Sequence, residues 1–391
     1  MNPREQFEAS LAAALAQVQS AGLLRQMRLP RGIDLVSNDY LGLADHPYIK
    51  ERMREAIGDL PAGAGGSRLL RGHHRVFEHL ESRLAAFSGS EAALLFGSGY
   101  AANIGLLQAI VSEGDVIISD ERNHASLIDG IRLTKAHAIV YPHQDLNAVQ
   151  AALQAPRKRR AIVVTESVFS MDGDLAPLAE MATLADRYDA LLVVDEAHAT
   201  GLYGSRGSGR VEELGLRDHV TATMHTGGKS LGSGGAWVAG SSVLRDVLVN
   251  KSRTFIFSTA PLPVLAAALD AGLDVVQREP ERRVEVHRKA VMVRQALAAS
   301  NIHPGGTSPI IPIIAGRSGS NNAALALQSG LQAAGLDVRA IRPPSVAPGS
   351  ARLRVTIRYP IKDEDLLRFV REVARLLQQV DRSAFSVVSS H

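Results

Sequence analysis

Apolar positions along the chain change their spacing several times, and those changes divide it into elements. Near the N-terminus Phe7, Leu11, Ala14, Leu15 and Val18 recur three and four apart, which predicts a helix over residues 4–27 that stops before Pro30. A short strand is expected at 33–36, then a glycine-rich stretch at 61–72, then a helix over 76–87 that buries Phe77, Leu80, Leu84 and Phe87. From Ala92 onward the texture alternates. Apolar runs at 92–96, 116–119, 138–141, 161–166, 191–195, 220–224 and 236–240 carry almost no polar alternation, as strands covered on both faces do. Helical patterns between many of them predict βα units and a seven-stranded, mostly parallel sheet. Functional residues should gather at the carboxyl ends of such strands.

After Pro280 the pattern shifts to helix 281–299, strand 309–314, helix 321–334, strand 352–357 and helix 363–379, a smaller α/β unit. The expected organisation is an N-terminal helix and arm (1–45), a large domain (46–280) and a small C-terminal α/β domain (281–391). The last residues, through His391, are expected to fray.

Composition narrows the function classes. At 46% hydrophobic and 21% charged residues, the 391-residue chain is neither disordered nor fibrous. It has no cysteine, which excludes disulfides, zinc–thiolate sites, iron–sulfur clusters and cysteine nucleophiles. No metal site is expected. A net charge of +3 is far from a nucleic-acid footprint. No leader pattern is visible, and the longest uncharged stretch relevant to a membrane span, 92–112, holds Gly97, Ser98, Gly99, Asn103 and Gln108, so it reads as strand, turn and helix rather than a membrane span. No nucleic-acid or membrane partner is expected, and the expected compartment is the cytoplasm.

The run Leu191-Leu-Val-Val-Asp195-Glu196-Ala-His198 places an acid at a strand's carboxyl end and a histidine three residues on. Two chemistries share that shape: a Walker B segment of a DExH-type ATPase, and an acid that pairs with the ring nitrogen of pyridoxal phosphate. The segment His225-Thr-Gly-Gly-Lys229-Ser230 weighs against the first. A P-loop needs a glycine five residues before its Gly-Lys and must precede Walker B; here Thr223 stands at the glycine position and the segment follows Asp195. The ATPase is kept only as a distant alternative. Lys229 suits a Schiff base better. It stands among Gly227, Gly228, Gly232, Gly234 and Gly235, where backbone can approach a flat ring. The other six lysines are poorer candidates: Lys50 and Lys289 lie in charged helical stretches, Lys158 belongs to a basic run, and Lys135, Lys251 and Lys362 lie near element ends. Gly97-Ser98-Gly99-Tyr100 opens a helix whose free N–H groups would accept a phosphate. Asn123-His124-Ala-Ser126 begins another, with Asn123 a candidate N-cap and His124 a candidate ring-stacking residue. Residues 166–173 cluster hydroxyls and acids after a strand end.

Taken together, Ser37-Asn-Asp-Tyr-Leu-Gly-Leu43, Gly65-Gly-Ser-Arg68, the three segments just described around residues 99, 124 and 170, Asp195 to Gly201, Lys229 and its glycines, and Arg352-Leu-Arg354 resemble the α-oxoamine synthases over nearly the whole chain. These are fold type I pyridoxal-phosphate transferases, of the aspartate-aminotransferase-like architecture. The resemblance implies that Lys229 carries pyridoxal 5'-phosphate and later moves protons. It implies that Asp195 pairs with the pyridine nitrogen, that His198 and Ser170 approach the phenolic oxygen, and that His124 stacks on the ring. Gly99 and Tyr100, with Thr226, would hold the phosphate. Arg25, Asn38, His124, Ser345 and Arg354 would hold substrate, and Ser345, standing where threonine is usual, implies a homodimer. The wording of 37–43, 166–173 and 253–260 is most similar to the branch that condenses L-alanine with a pimeloyl thioester for biotin biosynthesis, the acyl carrier being a carrier protein or coenzyme A. Glycine with an acetyl thioester is the alternative within the family. Two departures stand out: Thr356-Ile-Arg-Tyr-Pro360 replaces the usual small-residue-and-histidine segment, and Arg71 stands where a small residue is usual.

Overall fold

The computed structural model describes residues 1–316 and 319–388. A helix, Pro3–Ser20, and a two-residue strand β1 (Ile33–Asp34) lead into seven strands: β2 (Ala92–Phe96), β3 (Val116–Asp120), β4 (His137–Tyr141), β5 (Ala161–Glu166), β6 (Ala190–Asp195), β7 (Ala222–Thr226) and β8 (Ala236–Gly240). The C-terminal part adds β9 (Ile310–Ile314), β10 (Leu336–Asp337), β11 (Ala340–Ile341) and β12 (Arg352–Thr356), and ends in the helix Asp363–Val388. The fraying expected through His391 concerns residues outside those described.

Strands β2 to β8 form one sheet in the order β2-β8-β7-β6-β5-β3-β4. All neighbouring pairs run parallel except those made by β8, which is antiparallel to both β2 and β7. Its continuous apolar strands are covered on both sides: the cluster around Leu106, Ile162 and Met224 fills one face, and Met181, Val163 and Leu192 belong to another. This is the α/β architecture that the hydrophobic runs predict. Because β2 is separated from β7 by the reversed β8, the carboxyl ends of β2, β3, β5, β6 and β7 all open on one edge of the sheet.

The C-terminal elements have their own core. An antiparallel sheet in the order β11-β12-β9 packs with Leu327, Leu331, Phe369 and Val373 from two helices. The arm joins this body: β1 pairs in parallel with β10, and Leu35 is buried in the same cluster.

The first helix departs from expectation in length. It ends at Ser20, not residue 27, because Gly22 takes φ +65° and the Leu23 N–H turns back to the Val18 carbonyl at 2.9 Å, a left-handed C-terminal stop. None of its residues is buried, so Phe7, Leu11 and Leu15 lie on the surface of the chain. Among the described residues, no helix is long and apolar enough to cross a membrane.

Candidate active site

The loops leaving the carboxyl ends of β2, β3, β5, β6 and β7 enclose a pocket of about 180 Å³ lined by Gly99, Tyr100, His124, Glu166, Asp195, His198, Thr226 and Lys229, among others. Each side chain arrives by local geometry. Asp195 is the last residue of β6, and Glu166 pairs with it in register at the end of β5. Lys229 sits in the turn between β7 and β8. Gly232 in that turn has φ +61°, and a Cβ there would meet the Ala44 nitrogen at 2.4 Å, so only glycine lets the turn lie against the arm.

Asp195 is buried and accepts on both carboxylate oxygens. The Ala197 N–H reaches Oδ1 at 2.8 Å, and the Asn103 side-chain amide reaches Oδ2 at 2.8 Å. Asn103 also donates to the Ser126 hydroxyl at 2.9 Å, and that hydroxyl stands 2.8 Å from His124 Nδ1. The Ser126 N–H points at the same Nδ1, so the ring proton of neutral His124 belongs on Nε2. Burial, offset by Asp195 and reinforced by Lys229, lowers the His124 pKa and keeps the ring neutral.

Lys229 brings the one side-chain amine among the described residues lining the pocket. Its Nζ lies 2.8 Å from His198 Nε2. Burial lowers its pKa to about 8 against the opposing pull of Asp195 and Glu166, with Arg354 adding to the lowering. A substantial fraction is then an unprotonated nucleophile near neutrality. Burial and the neighbouring Lys229 push His198 well below the ordinary imidazole range, so it is neutral. Burial, and then the Asp195 charge, push Glu166 far up, so it holds its proton. Its Oε1 has no partner within the protein.

The helix Gly99–Ile110 starts at the pocket wall. Ser98 caps it by accepting from the Ala101 N–H, while the N–H groups of Gly99 and Tyr100 have no intrahelical acceptor. The Thr226 hydroxyl is already engaged: it donates to the Gly235 carbonyl at 3.1 Å and accepts from the Gly228 N–H.

Of the residues singled out from the sequence, Gly99, Tyr100, His124, Asp195, His198, Thr226 and Lys229 line this one pocket. Ser170 does not; it is buried beside it, its carbonyl accepting from Arg354 Nε. Arg354 is buried, its Nη2 unpartnered, and its charge is felt at His198 and Lys229. Asn38 lies on the arm next to Tyr40, whose hydroxyl faces its Oδ1 at 3.5 Å. Arg25 and Ser345 fall elsewhere, together in a groove of about 260 Å³ with Arg28, Arg339 and Arg342 that shares no lining residue with the Lys229 pocket.

One local expectation is corrected. The cap of the helix Ala125–Arg132 is His124, not Asn123; Asn123 instead donates to Ser119 and to the Val164 carbonyl. Lys289 lies in the charged helix Glu281–Ala299, as expected. It is buried, and its ammonium holds the Tyr359 and Ile361 carbonyls at 2.7 Å each. The atypical segment 356–360 serves the arm: Arg358 pairs with Asp34 at 2.6 Å and Asp39 at 3.1 Å, which fixes the loop carrying Asn38 and Tyr40. Arg71 is exposed, with no ion pair to the described residues.

Sequence reading gave no site role to Asn103, Glu166 or Tyr40. Asn103 had one signal, a polar residue in the apolar run of its helix; the other two lay inside quoted motifs with nothing to show which way they faced.

The chain matches the model of the family described as aminotransferase class I and II over residues 30–373. It is 41% identical to the 8-amino-7-oxononanoate synthase of Geobacter sulfurreducens, over 94% of this chain and 97% of that one. It is 42% identical to the enzyme of the same name from Marinobacter nauticus, over 93% and 95%. Among solved structures, Sphingomonas wittichii serine palmitoyltransferase superposes with a TM-score of 0.88 at 26% identity, covering 97% of this chain and 99% of that one.

Proposed function

The chain belongs to the aminotransferase class I and II family, and we propose that it is an acyltransferase that uses pyridoxal 5'-phosphate to condense L-alanine with a pimeloyl thioester. The products are 8-amino-7-oxononanoate, carbon dioxide and the free thiol, the reaction named by its relatives in biotin synthesis. One observation carries the reading: the Lys229 amine, the strand-end Asp195 and the open N-terminus of the helix Gly99–Ile110 face one pocket.

The residues present fit the cofactor. A carboxylate locked by two donors suits a protonated ring nitrogen, unpaired N–H groups suit a phosphate, and the unpartnered Glu166 Oε1 leaves polar capacity in the wall for a bound molecule. Bound there, pyridoxal phosphate supplies an electron sink for charge left at the α-carbon of an amino acid.

The chain's own residues do the rest. Lys229 Nζ would hold the cofactor and would carry protons to and from the α-carbon of alanine. Asp195 keeps the ring nitrogen charged. His124, held by Ser126, presents a neutral ring face, and His198 would serve the phenolic oxygen, with Ser170, buried beside the pocket, joining it there. Gly99, Tyr100 and Thr226 take the phosphate, for which Thr226 must give up its bond to the Gly235 carbonyl. Arg354 and Asn38 take the alanine carboxylate, the planar guanidinium being suited to it.

Arg25 and Ser345 take the acyl substrate from a second copy of the chain, in a homodimer. Their groove does not open on their own chain's Lys229 pocket, and the apolar face of the helix Pro3–Ser20 is uncovered in the single chain. In this division of labour, residues 46–280 hold the cofactor and 1–45 with 281–391 close over the substrates. The compartment is the cytoplasm.

Two measurements test the reading. Borohydride reduction of the protein loaded with pyridoxal phosphate should fix a pyridoxyl group on the peptide containing Lys229; a label on another lysine, or none, overturns the site. Product masses from alanine or glycine paired with pimeloyl or acetyl thioesters, each on coenzyme A and on a carrier protein, should give the best yield for alanine with pimeloyl. A preference for glycine with acetyl would move the protein to the other branch of the family.

A further inference from the structure

Behind His198, on the side away from Lys229, stands a buried phenol that the reaction as described leaves unused. Tyr40 is fully buried, and its hydroxyl lies 2.7 Å from His198 Nδ1, while His198 Nε2 lies 2.8 Å from Lys229 Nζ. The three groups form one line: phenol, imidazole, amine. Tyr40 is held from the arm, where Arg358 grips Asp39 and the Tyr359 N–H donates to the Tyr40 carbonyl at 2.7 Å. The charged and titratable groups around the line are Arg354, whose guanidinium bears on the phenol as well as on the imidazole, His124 near the imidazole, and Asp195 and Glu166 near the amine.

Donor and acceptor counting fixes the line's states. His198 is neutral, so one ring nitrogen donates and the other accepts. When Lys229 is an ammonium it has donors only, so Nε2 must accept, and the ring proton must sit on Nδ1. A buried Nδ1–H needs an acceptor, and the phenol oxygen of Tyr40 is the one within reach; the phenol's own hydrogen then turns to Asn38 Oδ1 at 3.5 Å. When Lys229 is neutral the other tautomer is open, and the same hydroxyl rotates to donate to Nδ1. A hydroxyl serves both states; no apolar side chain serves either.

We propose that Tyr40 is a positioning residue that sets the tautomer of His198, keeping the Nε2 lone pair aimed at Lys229 while that lysine is charged. It acts through His198 and touches neither substrate nor cofactor. The inference rests on Lys229 being the reacting amine, but its test does not use turnover.

The test uses the full-length chain without added cofactor, labelled with ¹⁵N in the histidine rings, with the His198 signals assigned by comparison with His198→Gln. At pH 6.5 the parent should show His198 protonated on Nδ1. In Tyr40→Phe the Nδ1–H has no acceptor, and an orphaned buried N–H is worse than an orphaned lone pair, so the proton should move to Nε2 as soon as Lys229 becomes neutral. The neutral amine is thereby favoured over the ammonium, so the pH midpoint for reductive methylation of Lys229, read peptide by peptide by mass spectrometry, should fall by about one unit from the parent value. A parent with His198 protonated on Nε2 at pH 6.5 overturns the proposal whether or not the variant folds. So does a folded Tyr40→Phe chain in which tautomer and midpoint are both unchanged. Failure of the lysine assignment would show instead as absence of pyridoxyl label on Lys229 with the tautomer as expected.

Discussion

Replacing Asp195 by asparagine removes one charge and changes one hydrogen-bonding group, and the structure separates the two effects. Both carboxylate oxygens accept at 2.8 Å, one from the Ala197 N–H and one from the Asn103 amide. An asparagine at 195 offers one acceptor and one NH2, so whichever way it turns, a donor faces a donor. A buried donor left unmatched costs about 1–3 kcal/mol, roughly a 5- to 150-fold loss in the folding equilibrium. The lost charge acts separately on chemistry. Removal of a buried carboxylate that stabilises a developing cation costs about four orders of magnitude in turnover in the best-studied triad, and a similar fall is expected here. It also lowers the Lys229 pKa below about 8, since the Asp195 charge opposes the lowering by burial. The reciprocal swap tells the effects apart. In Asp195→Asn with Asn103→Asp, the new amide accepts from Ala197 and donates to the new carboxylate, so the 195–103 contact is matched again; the bond to Ser126 reverses, its hydroxyl now donating to residue 103 and no longer to His124 Nδ1. Calorimetric melting should therefore drop in the single variant and recover most of the loss in the swap. Single-turnover assays with alanine and pimeloyl thioester should find both inactive, because the charge now sits on a helix and not at the end of β6. A single variant with unchanged melting, or a swap that turns over within about tenfold of the parent, would refute the reasoning.

Asn103→Leu keeps the volume of the side chain but leaves Asp195 with one donor; pyridoxal phosphate should bind about 10- to 100-fold more weakly by absorbance titration, and unchanged affinity would show that Asn103 does not hold the carboxylate. His143 lies between Asp120 at 2.9 Å and Asp174 at 2.5 Å. Burial opposes its charge, but these two carboxylates raise its pKa to about 9. A folded-state pKa above the ordinary 6.5 contributes stability that is complete below about pH 6.5 and is lost as pH rises through about 9. The stability gap between the parent and His143→Asn, of order 2 kcal/mol at pH 6, should thus close by pH 10 in denaturant titrations, and a gap independent of pH would contradict it. Arg25→Ala should raise the KM for the pimeloyl thioester about tenfold while leaving the KM for alanine alone, and an equal rise in both would remove Arg25 from the acyl end.

The sequence by itself determined the elements and singled out Lys229 and Asp195, which the fold brings to one pocket. The apolar runs located every strand of the large sheet to within two residues, because a strand buried on both faces has little choice of composition. Lys229 stood out from only seven lysines by its glycines, and Asp195 by its place at a strand end; both are properties of neighbours along the chain. Tertiary structure alone decided the reversed insertion of β8, the burial of Lys289 against a loop about 70 residues later, and the capture of residues 33–35 by the C-terminal core. It alone showed that Asn103 reaches Asp195 across 92 residues, and that Tyr40 backs His198 across 158. Hydrophobic period is set by whether each residue meets water or protein, which the chain writes locally. Hydrogen-bond partners are set by which strand ends and helix starts meet in space, and the chain carries no local mark of that meeting.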